Sequence, residues 1–212
     1  MIKAILFDMD GVLIDAREWH YEALNRALAK FGMEIDRDAH LATYDGLPTR
    51  RKLAMLSKSK GLPERLHGFL NDLKQAYTQE IAYARCKPSF THQRTLGQLR
   101  AAGYQMAVCS NSVRASVETM MRLARLEPYL DLMLSNEDVA NAKPAPDMYV
   151  EAMRRLGVAP GETLILEDND HGIAAARASG AQVMVVGTPA DVRTDLIMRR
   201  IEEAGRAAVA AA

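Results

Sequence analysis

A chain of 212 residues holds one ordinary domain with room for a smaller second one. Its 49% apolar and 25% charged residues are a globular balance, and 27 Lys plus Arg against 27 Asp plus Glu leave no global field to draw it onto nucleic acid or an anionic membrane. No apolar stretch approaches the ~18 residues that span a bilayer, the start shows no signal-peptide pattern, and two cysteines, Cys86 and Cys109, make no disulfide framework, so a reducing, cytoplasmic setting is expected.

The first apolar run, Ile2 to Phe7, reads as a strand buried on both faces, and it ends at Asp8, Asp10 and Gly11. Residues 15–86 contain no comparable run. Their apolar spacing (Leu24, Ala27, Leu28, Phe31, later Leu53 and Leu56) is helical, punctuated by Pro48 and Pro63. After Pro88 a repeated grammar begins, helix then glycine then strand: Gly103 into 104–109, Gly157 ahead of 163–167, Gly180 into 181–186. A shorter run, Leu132 to Leu134, lies between the first two. The intervening helices carry apolar stripes, Val113-Val117-Met120-Met121-Ala124 and Tyr149-Ala152-Met153-Leu156. Ser112 is placed to cap the first, and Pro144 and Pro146 suit the start of the second. The Ala-rich stretch after Gly205 is expected to fray.

Right-handed crossovers between such units predict an α/β fold, a Rossmann-like parallel sheet core with helices on both faces. The helical segment is then an inserted α-helical cap subdomain over the carboxyl edge of the sheet. The expected division is 1–14 and 87–212 for the core and 15–86 for the cap, with linkers near 14–17 and 84–89 that let the cap rock.

Ligands of such sheets bind beyond the carboxyl ends of the strands, where Asp8, Asp10, Ser110, Lys143 and Asp168 all fall. Two acids in Asp-x-Asp repel unless a cation joins them, and a third carboxylate from another strand makes an all-oxygen set suited to Mg²⁺. Lys143 supplies a positive point charge for a phosphate, and Ser110 with the N–H groups of Asn111 and Ser112 supplies donors. Taken singly, each has a plainer explanation: a turn carboxylate, a surface lysine, a helix cap. Together they would all have to reach strand ends by accident. Two mechanisms are open on these residues, attack of Asp8 on phosphorus or activation of water by the acids.

Phe7-Asp8-Met9-Asp10-Gly11-Val12-Leu13, Cys109-Ser110-Asn111-Ser112, Lys143-Pro144-Ala145-Pro146-Asp147 and Leu166-Glu167-Asp168-Asn169 resemble, in order and spacing, the four motifs of the haloacid dehalogenase superfamily. The place of the insert resembles the phosphoglycolate phosphatase and β-phosphoglucomutase branch. The resemblance implies Asp8 as nucleophile and Mg²⁺ ligand, and Asp10 as general acid/base that also gives its backbone carbonyl to the metal. It implies Ser110, Asn111 and Lys143 on the phosphoryl group, Asp168 in the metal shell, and Glu167 beside it directly or one layer behind. In the cap it points to His20 and Arg50 as substrate contacts. His20 shares a helical face with Leu24, Ala27 and Phe31 and is as readily a structural histidine, and Arg50 fits equally a solvated helix start.

The implied activity is a Mg²⁺-dependent phosphatase acting on a small phosphorylated metabolite, of the sugar or polyol phosphate or phosphoglycolate type, in a monomer or homodimer. A sugar phosphomutase is the alternative. Mutases of the branch often place a lysine soon after the second-motif serine, where this chain has Asn111, Ser112 and Val113, and that favours hydrolysis. A catalytically silent binding module is the third reading, opposed by the intact acid and lysine set.

Overall fold

The computed structural model describes residues 1–210. Among them, five parallel strands form one sheet, β1 Ala4–Phe7, β2 Gln105–Cys109, β3 Leu132–Leu134, β4 Thr163–Glu167 and β5 Gln182–Val185, in the order β3-β2-β1-β4-β5. The register pairs Phe7 with Val108 on one side and Leu166 on the other, so the residues following β1, β2 and β4 emerge level at one edge.

Strand alternation sorts the core into two layers. Ile5, Phe7, Met106, Val108, Leu164 and Leu166 face α5 (Phe90–Ala101), α6 (Arg114–Leu123) and α9 (Thr194–Ala210). Leu6, Ala107, Cys109 and Ile165 face α7 (Asp147–Leu156) and α8 (Asp170–Ala178). The central strands β1, β2 and β4 are largely apolar on both sides because both sides are covered. Gly103, Gly157 and Gly180 take positive φ, as their place between helix and strand predicts.

Between β1 and α5 lie α1 (Arg17–Ala29), a short α2 (Arg37–Ala39) continuing into a π-helical turn (His40–Tyr44), α3 (Thr49–Lys60) and α4 (His67–Arg85). They enclose their own apolar cluster, built on Leu24, Leu28, Ile35, Leu53, Leu56 and Leu70. The Asn25 amide ties the turn after α1 by bonding both the carbonyl (2.8 Å) and the N–H (2.9 Å) of Ile35. The far end of α4 enters the sheet-side core through Ala82 and Cys86, and Ile14 and Ala16 do the same at the first crossing.

Three local expectations need correction. Phe31 lies beyond the end of α1, is 40% exposed and meets Phe69 edge-on, because the helix closes at Ala29 before its stripe reaches residue 31. Ser112 does not cap α6. The helix starts one residue later, at Arg114, with Val113 in the cap position, and the serine hydroxyl donates to Asp10 instead. The alanine-rich close continues as helix to Ala210, and residues 211–212 lie outside the described residues.

Candidate active site

The end of β1 delivers Asp8, the end of β2 Ser110, and the end of β4 Glu167 and Asp168. Lys143 comes from the loop between β3 and α7 and is buried. Its ammonium donates to Asp8 Oδ1 at 2.6 Å, Glu167 Oε1 at 2.6 Å and the Cys109 carbonyl at 2.8 Å, using all three of its protons. The Tyr149 hydroxyl also donates to Glu167 Oε1, and the Lys143 ammonium lies 4.8 Å from the Tyr149 ring centroid. Burial opposes the charge on Lys143, but Asp8 and Glu167 more than offset it and hold its pKa above the ordinary lysine value. Burial raises the Asp8 pKa well above the usual carboxylate range; Lys143 counters this, while Glu167, Asp10 and Asp168 add to it.

Asp8, Glu167 and Asp168 each offer an oxygen within 4.8 Å of the others. An all-carboxylate donor set suits Mg²⁺ or a similar hard cation. Gly11 lets the backbone pass directly against Asp168. Its φ is +92°, and a Cβ there would lie 1.9 Å from Asp168 Oδ2. The residues fit a small divalent ion by the chemistry of their donors.

The Asp10 carboxylate turns to the cap. Ser112 Oγ donates to Oδ2 at 3.1 Å, and His20 Nε2 approaches Oδ1 to 3.0 Å without an in-line hydrogen bond. Behind the imidazole, Lys74 Nζ lies 3.1 Å from His20 Nδ1. An ammonium can only donate, so a charged Lys74 makes Nδ1 the acceptor and leaves the ring proton on Nε2, facing Asp10. Burial works against charge on Asp10, yet His20, Ser112 and Lys74 prevail and lower its pKa. Burial also lowers His20 despite Asp10. Lys52 and Lys74 are both buried at the cleft wall, with pKa values pushed down to about 8 and about 7, mainly by burial.

A cleft of about 820 Å³ lies between the sheet edge and the helical segment. Asp8, Asp10, His20, Arg50, Asn111, Lys143 and Asp168 line it; Ser110 and Glu167 are fully buried and do not. Ser110 Oγ accepts the Ser112 N–H at 3.0 Å. Asn111 acts as a brace: its amide donates to the carbonyls of Gly46 (3.0 Å) and Lys143 (3.1 Å) and accepts the Lys143 N–H (3.0 Å). His20, expected as a substrate contact or a structural histidine, lines the cleft and faces Asp10, and Arg50 is exposed at the rim.

Sequence reasoning missed Arg17, whose guanidinium donates to Asp168 Oδ2 at 2.6 Å, as well as Lys52, Lys74 and the second role of Tyr149. The lysines had a signal. Lys74 falls on the buried stripe Leu70-Lys74-Thr78-Ile81 and Lys52 beside Leu53 and Leu56, inward positions where an ammonium needs a reason.

A family model described as haloacid dehalogenase-like hydrolase matches residues 5–186. A phosphorylated carbohydrates phosphatase of Thermotoga maritima is 27% identical over 184 residues, covering 85% of this chain and 83% of its own. The crystal structure of CbbY from Rhodobacter sphaeroides in complex with phosphate superposes with a TM-score of 0.80 at 25% identity, over 87% and 86% of the two chains. A β-phosphoglucomutase from Clostridium difficile shares the fold, with a TM-score of 0.84 at 19% identity over 96% and 98%.

Proposed function

We propose that this chain, which belongs to the haloacid dehalogenase-like hydrolases, is a Mg²⁺-dependent phosphatase of small phosphorylated metabolites that works through an aspartyl-phosphate. The observation that carries the reading is the convergence of Asp8, Asp168 and Lys143 from three separate segments at one sheet edge, beneath a cleft of metabolite size.

Asp8 and Asp168 would hold the divalent ion, with the backbone carbonyl of Asp10. Glu167, committed to Lys143 and Tyr149, acts one layer behind by fixing the lysine. When bound, the ion supplies the positive charge that keeps Asp8 ionised and screens the approaching phosphate. An Asp8 oxygen attacks phosphorus as the ester P–O bond breaks, and Asp10 gives its proton to the leaving oxygen. Water then attacks the phosphoaspartate, Asp10 takes back a proton, and the bond to Asp8 breaks to release inorganic phosphate. Asp10 is held ionised in the free protein, so its acid role requires the pKa to rise when the phosphate dianion arrives beside it.

Within the proposed substrate class, buried Lys52 and Lys74 on the cap side favour esters bearing a second acidic group, a carboxylate or another phosphate. Transfer to a sugar, as in a phosphomutase, is the competing outcome. Phosphate release from a panel of phosphorylated metabolites tests the assignment. Turnover should vanish with EDTA and in Asp8→Asn, and conversion of β-glucose 1-phosphate to glucose 6-phosphate without free phosphate would replace hydrolysis by the mutase reaction.

A further inference from the structure

Arg17 opens α1 at the seam between cap and sheet. Its Nη2 donates to Asp168 Oδ2 at 2.6 Å, while its Nε approaches Asp45 Oδ2 to 3.1 Å. One guanidinium thus joins a cap carboxylate to a carboxylate of the acidic cluster. The Asp168 side chain is 2% exposed, against 39% for Arg17, so the acid is fixed and the arginine is the partner with room to leave. Asp168 Oδ1 accepts from the Asn169 amide at 3.0 Å, so both of its oxygens are engaged. A dication at Asp8 and Asp168 would meet a positive group already hydrogen-bonded to one of its ligands.

We propose that Arg17 is the resident counter-ion of Asp168, and that a divalent cation binds this chain by displacing it. Arg17 is then a positioning residue that weakens cation binding and, through Asp45, holds the cap turn to the sheet until the ion arrives. Linkage makes the effect reciprocal: whatever the ion gains by losing its competitor, the cap loses in attachment. The inference rests on reading the acidic cluster as a divalent-cation site.

Mn²⁺ titration of the full chain, followed by electron paramagnetic resonance without substrate, tests it. Arg17→Met should bind Mn²⁺ about fivefold more tightly than the unaltered protein, the value of one partly exposed ion pair. Arg17→Lys should fall between, since an ammonium keeps the charge but not the fork that reaches both acids. Arg50→Met removes an equal charge from the same cleft without touching Asp168 and should change the affinity less than twofold. Equal or weaker Mn²⁺ binding by Arg17→Met overturns the proposal. A matching gain in Arg50→Met also overturns it, because general repulsion would then account for the effect. If neither the unaltered protein nor Arg17→Met binds Mn²⁺ at millimolar concentration, the cation site itself is misread and the proposal falls with it.

Discussion

Lys143 binds the site together and is its point of greatest fragility. Its ammonium faces Asp8 and Glu167 in a fully buried setting, where removing one partner of an ion pair costs about 3–5 kcal/mol because the remaining charges stay buried. Lys143→Met should lower stability by that amount in urea unfolding at pH 7, alongside the loss of turnover. The loss should shrink at lower pH. The Asp8 pKa is already raised in the folded state, and without the lysine it rises further. A carboxyl whose folded pKa exceeds its unfolded one destabilises the fold as pH climbs past the unfolded value, and acid restores what neutral pH removes. Gly11 is fragile for a different reason. Gly11→Ala places an L-residue at φ +92°, at a cost of about 1–2 kcal/mol, and drives its Cβ into Asp168. Turnover should fall at least about 100-fold, more than the stability change explains, since a misplacement of ~1 Å costs that much.

The helices α3 and α4 sacrifice stability for the surface they present. Each carries a lysine on its inward face, and each ammonium loses most of its hydration there. Replacing a buried charge by an apolar side chain of similar length often stabilises a protein, so Lys52→Met should gain ~1 kcal/mol in thermal unfolding. The same change should raise KM for doubly acidic esters about tenfold and leave KM for simple alkyl phosphates nearly unchanged. The pH response has a definite sign. With pKa values of about 8 and about 7, Lys52 and Lys74 are protonated in mild acid and lose their protons as pH rises through 7 to 8. KM for doubly acidic substrates should therefore increase between pH 6.5 and 9, and the increase should flatten in Lys52→Met.

Across the whole molecule, cap and sheet edge meet through polar contacts, Asn111 to Gly46, Arg17 to Asp168 and His20 to Asp10, while the two crossing segments are packed into the core. Such a seam opens more cheaply than an apolar one. Asn111→Ala removes the bond to Gly46 and both contacts with Lys143, so amide exchange should quicken at residues 45–50 and 143–146 before it does in the strands. Apolar runs, helix-ending glycines and acids at strand ends were legible along the chain because periodicity, turn conformation and parallel pairing are local or nearly local consequences of residue type. They foretold the sheet, the inserted helices and the meeting of Asp8, Asp168 and Lys143. The partners of Ser112, Lys52, Lys74 and Arg17 were not legible in this way, although the inward spacing of the two lysines marked them as unusual. Which carboxylate a hydroxyl or a cation reaches depends on how α1, α3 and α4 sit over the edge of the sheet, and that placement is set by packing between residues far apart in sequence.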